Sequence, residues 1–274
     1  MNMKLSTATS ILVNYTLEEA VDAVAETGFD GVDIWCGRPH MYRRDYPDAF
    51  IEEMGNSIRS RGLYIVSVMP AFFRYPFSLT SPIQAICDDS VNYMKDCVAN
   101  AKRIGAQSVL VVPISNMHRQ TPEEARRLFM QSLAKVCEYA EQMGIRLDIE
   151  VLNPLMTGFL YETKQAVQII RELGFDNAGI VLDTGHLNIS GENVKSALAN
   201  AGDMLRQIHI NDNNAKEMQN AVPGDGCFNF EALDRLLKDM NYTGFLSLEL
   251  GWQYSFDPIP VLEKAMAVTK NIFK

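Results

Sequence analysis

Basic side chains are in short supply in this sequence. Lys and Arg together number 25 against 34 Asp and Glu, a formal net charge of −9. Proteins that grip phosphate backbones display basic stripes, so a nucleic-acid partner is not expected. Cysteine is scarce as well. The five residues Cys36, Cys87, Cys97, Cys137 and Cys227 form no C-x-x-C pair and leave an odd total. Reduced thiols in a cytoplasm suit that pattern better than a disulfide framework. No apolar run is long enough to cross a bilayer, so no membrane partner is expected. The opening MNMKLSTATSILVNY reads as a first strand rather than a signal peptide. The G-x-G-x-x-G turn of a dinucleotide-binding open sheet is also missing after that strand. The expectation is a soluble, cytoplasmic protein that handles something small.

What is present is a regular alternation of strand-like and helix-like segments. The strands read as 5–10, 31–35, 63–69, 108–113, 146–152, 179–185, 207–212 and 245–251. Between them lie amphipathic runs such as LEEAVDAVAETG and PEEARRLFMQSLAKVCEYAEQMG, with apolar residues three and four apart. Thr16-x-x-Glu19 and Thr121-Pro122-x-Glu124 read as helix starts, as do Ser81-Pro82-x-Gln84 and Asp257-Pro258. Gly28, Gly62, Gly105, Gly144 and Gly174 read as stops, each just before a strand. Eight such units over 274 residues, with no break in composition, predict one α/β domain spanning 1–274. Its fold is a single parallel eight-stranded (β/α)₈ TIM barrel.

Strand parity then places the chemistry. Side chains alternate across a strand, so Ile149 and Val151 share one face, with Asp148 and Glu150 on the other. Ile180 and Leu182 oppose Asp183; Ile208 and Ile210 flank His209; Leu248 and Leu250 flank Glu249. Each ionisable residue falls on the face that points into a barrel, near the C-terminal strand ends where barrel enzymes build active sites. Three buried carboxylates must be paired, protonated or bound to a cation. Only His209 and His186 accompany Glu150, Asp183 and Glu249. A divalent ion would offset most of the charge; the alternative is a neutral acid–histidine network without metal. Carboxylates with an imidazole suit Mn²⁺ first, with Mg²⁺ or Co²⁺ next. Zn²⁺ is a further candidate, although structural zinc would use more sulfur and nitrogen.

The stretches I-E-V-L-N (149–153), L-D-T-G-H (182–186), I-H-I-N-D (208–212), P-G-D-G-x-x-x-F (223–230) and L-E-L (248–250) resemble the xylose-isomerase-like sugar isomerase and epimerase superfamily. G-F-D-G-V-D-I-W (28–35) matches near the start, and Cys36-Gly37-Arg38-Pro39-His40 is similar to fructoselysine 3-epimerase-like members. The resemblance implies that Glu150, Asp183, His209 and Glu249 hold one metal ion, with Glu150 and Glu249 also moving protons. It makes His186 a contact to a substrate oxygen; a helix start or a hydrogen bond to a ligand carboxylate is the other reading. It further implies a homo-oligomer, dimer or tetramer. Two departures from ketose 3-epimerases are evident. Met156 stands where a second glutamate often lies, six residues after the first ligand. Ala215 and Lys216 occupy a loop that often carries an arginine.

Trp35, Arg38 and His40 follow the second strand and are substrate-binding candidates, with Trp35 walling a sugar and Arg38 holding an anionic group. Asn153 and Lys216 join them, while Arg43 and Arg44 read as solvated surface. Phe72, Phe73, Tyr75 and Phe77 crowd the loop after the third strand, as a lid, a subunit contact or core. Asp225 is expected to serve turn geometry. His118 is expected to be a surface histidine, and neither Cys36 nor Cys227 a nucleophile. The expected activity is isomerisation or 3-epimerisation of a small unphosphorylated ketose or keto-sugar derivative through a metal-stabilised enediolate. The alternatives are a metal-dependent dehydratase of a keto-inositol or lyase of a 3-keto glycoside, and a non-catalytic sugar-binding barrel. A multi-zinc endonuclease barrel is disfavoured by four histidines and the acidic charge.

Overall fold

The computed structural model describes residues 3–115 and 117–274. Eight parallel strands close into a barrel in sequence order. They are β1 (Lys4–Ala8), β2 (Gly31–Trp35), β3 (Tyr64–Met69), β4 (Ser108–Val111), β5 (Arg146–Val151), β6 (Ala178–Asp183), β7 (Leu205–Ile210) and β8 (Phe245–Leu248). Around them run α1 (Leu17–Thr27), α2 (Asp48–Ser60), α3 (Gln84–Ile104), α4 (Pro122–Met143), α5 (Thr163–Leu173), α6 (Thr184–Ser190), α7 (Val194–Ala201), α8 (Phe230–Asp239) and α9 (Pro258–Ile272). No helix among the described residues is long and apolar enough to cross a membrane.

Local chemistry accounts for most boundaries. Thr16 and Glu19 exchange hydrogen bonds in a reciprocal capping box ahead of α1. Thr121 accepts from the Glu124 backbone, and Pro122 takes the first turn of α4. Gly28, Gly105, Gly144 and Gly174 end their helices in the left-handed region that glycine enters at no steric cost. Two of the boundaries that differ have a local cause. Ser81 does not cap α3: its hydroxyl accepts the Ile83 amide at 3.1 Å, a local turn that delays the helix to Gln84. The sixth strand stops at Asp183 rather than running to 185. The Asp183 carboxylate captures the His186 amide and starts α6 at once.

The barrel interior carries a polar layer. The carboxylate of Asp33 is fully buried. It accepts from Ser6 (2.8 Å), Ser67 (2.6 Å), Gln207 (2.9 Å) and Ser247 (2.6 Å), on β1, β3, β7 and β8. Four donors satisfy a buried carboxylate in place of a cation. Gln207 and Ser247 precede His209 and Glu249 by two residues, so this layer lies one step along the same inward faces.

Candidate metal centre and cavity

Four strand ends bring four side chains together. Glu150 lies on β5, Asp183 ends β6 and His209 lies on β7. Glu249 follows β8, where its amide still bonds the Ile210 carbonyl at 3.2 Å. Asp183 and His209 are register partners across β6 and β7. One ligand atom from each residue lies within 4.8 Å of the others. His209 Nδ1 is 3.0 Å from Glu150 Oε1 and 2.9 Å from Glu249 Oε2. Glu150, Asp183 and His209 are buried, while the Glu249 side chain keeps 21% of its surface.

The electrostatics are those of crowded acids. Burial pushes the Asp183 carboxyl up to about 6, with Glu150 and Glu249 adding to the rise and the two histidines opposing it. Burial works against a charged His209, yet hydrogen bonds to Glu150 and Glu249 hold its imidazole well above the usual range. Burial likewise opposes ionisation of Glu249, but the bond from His209 keeps it below the usual carboxylate range.

The donor set fits a divalent cation. One imidazole nitrogen faces two carboxylates, and a single N–H cannot serve both while a third acid crowds the cluster. Three carboxylate oxygens and one nitrogen around a common point match a hard or borderline divalent ion. Neighbours fix these side chains unevenly. Asp183 Oδ1 accepts the His186 amide at 2.8 Å, and Oδ2 accepts Asn211 Nδ2 at 2.6 Å. A Cβ on Gly185 would strike the Asn211 side-chain oxygen, so glycine lets that amide approach. His209 Nε2, by contrast, is buried without a hydrogen-bond partner among the described residues, so the ring is held from its Nδ1 side.

Beside the cluster opens a cavity of about 300 Å³ whose lining includes Glu150, Glu249, His186, Trp35, Met156 and Trp252. The Trp35 and Trp252 rings meet edge on, 6.4 Å between centroids. Among the described residues no lysine or arginine lines it.

Trp35 and His186 therefore stand where the sequence reading put them, at the cavity. Asn153 is fully buried and bonds His186 rather than lining the space. Arg38, His40 and Lys216 are not brought there. The Arg38 guanidinium is 61% exposed and pairs with Asp45 at 2.5 Å. The His40 ring is buried, with Nδ1 3.1 Å from Thr9 Oγ1 and Nε2 3.2 Å from the carbonyls of Leu12 and Tyr15. Lys216 is exposed on the loop after β7. Phe72 and Phe77 join the core, whereas Phe73 is half exposed and lines the cavity. Trp252 was missed, although Leu250-Gly251-Trp252 directly after Glu249 was the available signal. Asp225 pairs with Lys264 at 2.6 Å. The turn around it is instead gathered by Asp212, which accepts the amides of Gly224, Gly226 and Phe228.

Comparison with known proteins agrees with the barrel fold. A family model described as a xylose isomerase-like TIM barrel matches residues 21–272. Fructoselysine 3-epimerase of Shigella flexneri is 24% identical over 242 residues, 88% of each chain. D-psicose 3-epimerase of Agrobacterium fabrum is 23% identical over 237 residues, 84% of this chain and 77% of the relative. A crystal structure of the IolI protein with a bound zinc atom superposes with a TM-score of 0.79 at 20% identity, covering 98% of this chain and 96% of the other.

Proposed function

Because the chain belongs to the xylose isomerase-like TIM barrel family, we propose that it is a divalent-metal-dependent isomerase or 3-epimerase of a small, uncharged ketose or keto-sugar derivative. One observation carries the reading: the ligand atoms of Glu150, Asp183, His209 and Glu249 converge within 4.8 Å beside a cavity. The names of the epimerase relatives support the reaction class. The absence of lysine and arginine from the described lining supports an unphosphorylated substrate.

In this reading all four side chains hold the ion, with Mn²⁺ preferred for a set of three oxygens and one nitrogen. A bound divalent ion supplies Lewis acidity toward the carbonyl and neighbouring hydroxyl oxygens of the sugar. Asp183 and His209, wholly buried, serve that binding alone. Glu150 and Glu249 both reach the cavity, from strands three places apart around the barrel, and they carry the protons. One carboxylate takes the proton from the carbon beside the carbonyl, and the other returns one to the opposite face. Return to the adjacent carbon gives isomerisation instead. Glu249, kept ionised by its bond with His209, suits the accepting role. His186 contacts a substrate oxygen, and Trp35 with Trp252 packs against the sugar's apolar face.

The test is solvent exchange. A panel of free ketoses and keto-sugar derivatives is incubated in D₂O with the Mn²⁺-loaded protein. Deuterium is expected at the carbon beside the carbonyl, and Glu249→Gln is expected to slow its entry by about 10²–10⁴-fold, with bound metal measured alongside. A chelator that leaves exchange untouched, or a panel with no exchange at all, defeats the reading. Loss of water or of an aglycone would mark elimination instead.

A further inference from the structure

Asn153 is buried, and both ends of its amide are engaged. The Leu155 backbone N–H donates to Oδ1 at 2.9 Å. A backbone N–H can only donate, so the atom it meets is the carbonyl oxygen, and the far end of the amide is the NH₂. That NH₂ lies 2.7 Å from Nδ1 of His186. An amide NH₂ can only donate, so Nδ1 must offer its lone pair. In a neutral imidazole the proton then sits on Nε2. An imidazolium would set N–H against N–H at the same place. His186 lines the cavity with Glu150 and Glu249, and no described residue takes up its Nε2. Its backbone is anchored separately, by the N–H it donates to Asp183 Oδ1.

We propose that Asn153 is a positioning residue that locks His186 in its Nε2–H tautomer, so that His186 meets the substrate as a neutral hydrogen-bond donor and not as a proton acceptor. The consequence for turnover rests on the epimerase reading above; the tautomer does not. A neutral donor suits an oxygen that gains negative charge as the neighbouring carbon loses its proton. It stabilises that charge without surrendering its own proton, which leaves proton transfer to Glu150 and Glu249. The lock also gives Asn153 its place in I-E-V-L-N. It lies three residues beyond a metal-binding glutamate and acts on the cavity through a neighbour.

Nitrogen-15 resonances of the histidine rings, in protein loaded with diamagnetic Mg²⁺, read the tautomer directly. His186 is assigned by the signals that vanish in His186→Asn. In the wild type, Nε2 is expected to be protonated and Nδ1 bare near neutral pH. Asn153→Asp keeps an oxygen for the Leu155 amide but puts a hydrogen-bond acceptor against Nδ1, which favours an Nδ1–H donor, so the tautomer is expected to reverse. With it kcat is expected to fall about 10²-fold, as for loss of one donor to a developing oxyanion, while KM moves by less than about threefold. Asn153→Ala removes the amide donor and is expected to leave a mixture of tautomers, which keeps the test open if the aspartate variant folds poorly. A wild-type ring protonated on Nδ1, or on both nitrogens, overturns the proposal whatever sugar is turned over. A reversed tautomer with undiminished kcat overturns it as well. Absence of turnover on every sugar defeats the epimerase reading, while the resonances still decide the tautomer.

Discussion

At the scale of single residues, His40 shows how a polar side chain near a barrel mouth can belong to the fold. Burial pulls its imidazole down to about 4, against the opposing pull of the carbonyls of Tyr15 and Leu12. An unfolded chain would protonate the same ring near 6.5. Between those values the unfolded state binds more protons than the folded one, so stability rises with pH there. The contribution is present above about 6.5 and is lost as pH falls toward 4. Urea midpoints measured from pH 7 down to pH 4 are expected to show a steeper acid slope in the wild type than in His40→Gln, whatever the variant's absolute stability. Equal slopes would show that the buried ring titrates as it does in water. The four clustered residues were legible because apolar neighbours on alternate positions betray which face is inward. His40, Arg38 and Lys216 offered no such periodicity. His40 and Arg38 sit in a loop whose path depends on contacts with Thr9, Leu12 and Asp45, and Lys216 sits in a loop turned by Asn214.

At the scale of elements, the long connection from β7 to α8 is organised by one buried acid. Asp212 takes four backbone amides, from Asn213, Gly224, Gly226 and Phe228, at 2.9 to 3.0 Å. It also pairs with Ala221 in an antiparallel bridge. The same connection contributes Met218, Gln219 and Asn220 to the cavity lining. Asp212→Ala strips those amides of their acceptor. Hydrogen exchange at Gly224, Gly226 and Phe228 is then expected to quicken by at least about tenfold, equivalent to losing on the order of 1–2 kcal/mol of local protection. Unchanged exchange would mean the turn residues hold the loop without the carboxylate. The motif around Pro223 was visible in the sequence, but its organiser was not, because Asp212 stands a dozen positions earlier. The same limit hid α6. The run from Gly179 to Gly185 has strand character throughout, and only the Asp183 carboxylate caught on the His186 amide ends the strand. Where a boundary follows from a local exchange, as between Thr16 and Glu19, sequence and structure coincide.

At the scale of the whole molecule, barrel closure turns eight separate parities into one interior. Strands that are remote in sequence deliver Ser6, Ser67, Gln207 and Ser247 to Asp33, and one step further along deliver Glu150, Asp183, His209 and Glu249 to each other. The four donors around Asp33 were not foreseen, since serine and glutamine carry no charge that demands a partner. The cluster at the strand ends was, because buried carboxylates do. Asp33 has four neutral donors and is satisfied. At the strand ends Asp183 takes the His186 amide and Asn211, but Glu150 and Glu249 share one imidazole nitrogen between them. A shared divalent ion is the account's central claim, and calorimetric titration of Mn²⁺ into chelator-stripped protein tests it most directly. One ion per chain is expected to bind, and Asp183→Ala is expected to abolish that isotherm while keeping the far-ultraviolet dichroism of a folded barrel. A flat titration in the wild type, or an isotherm unaltered by Asp183→Ala, would contradict it.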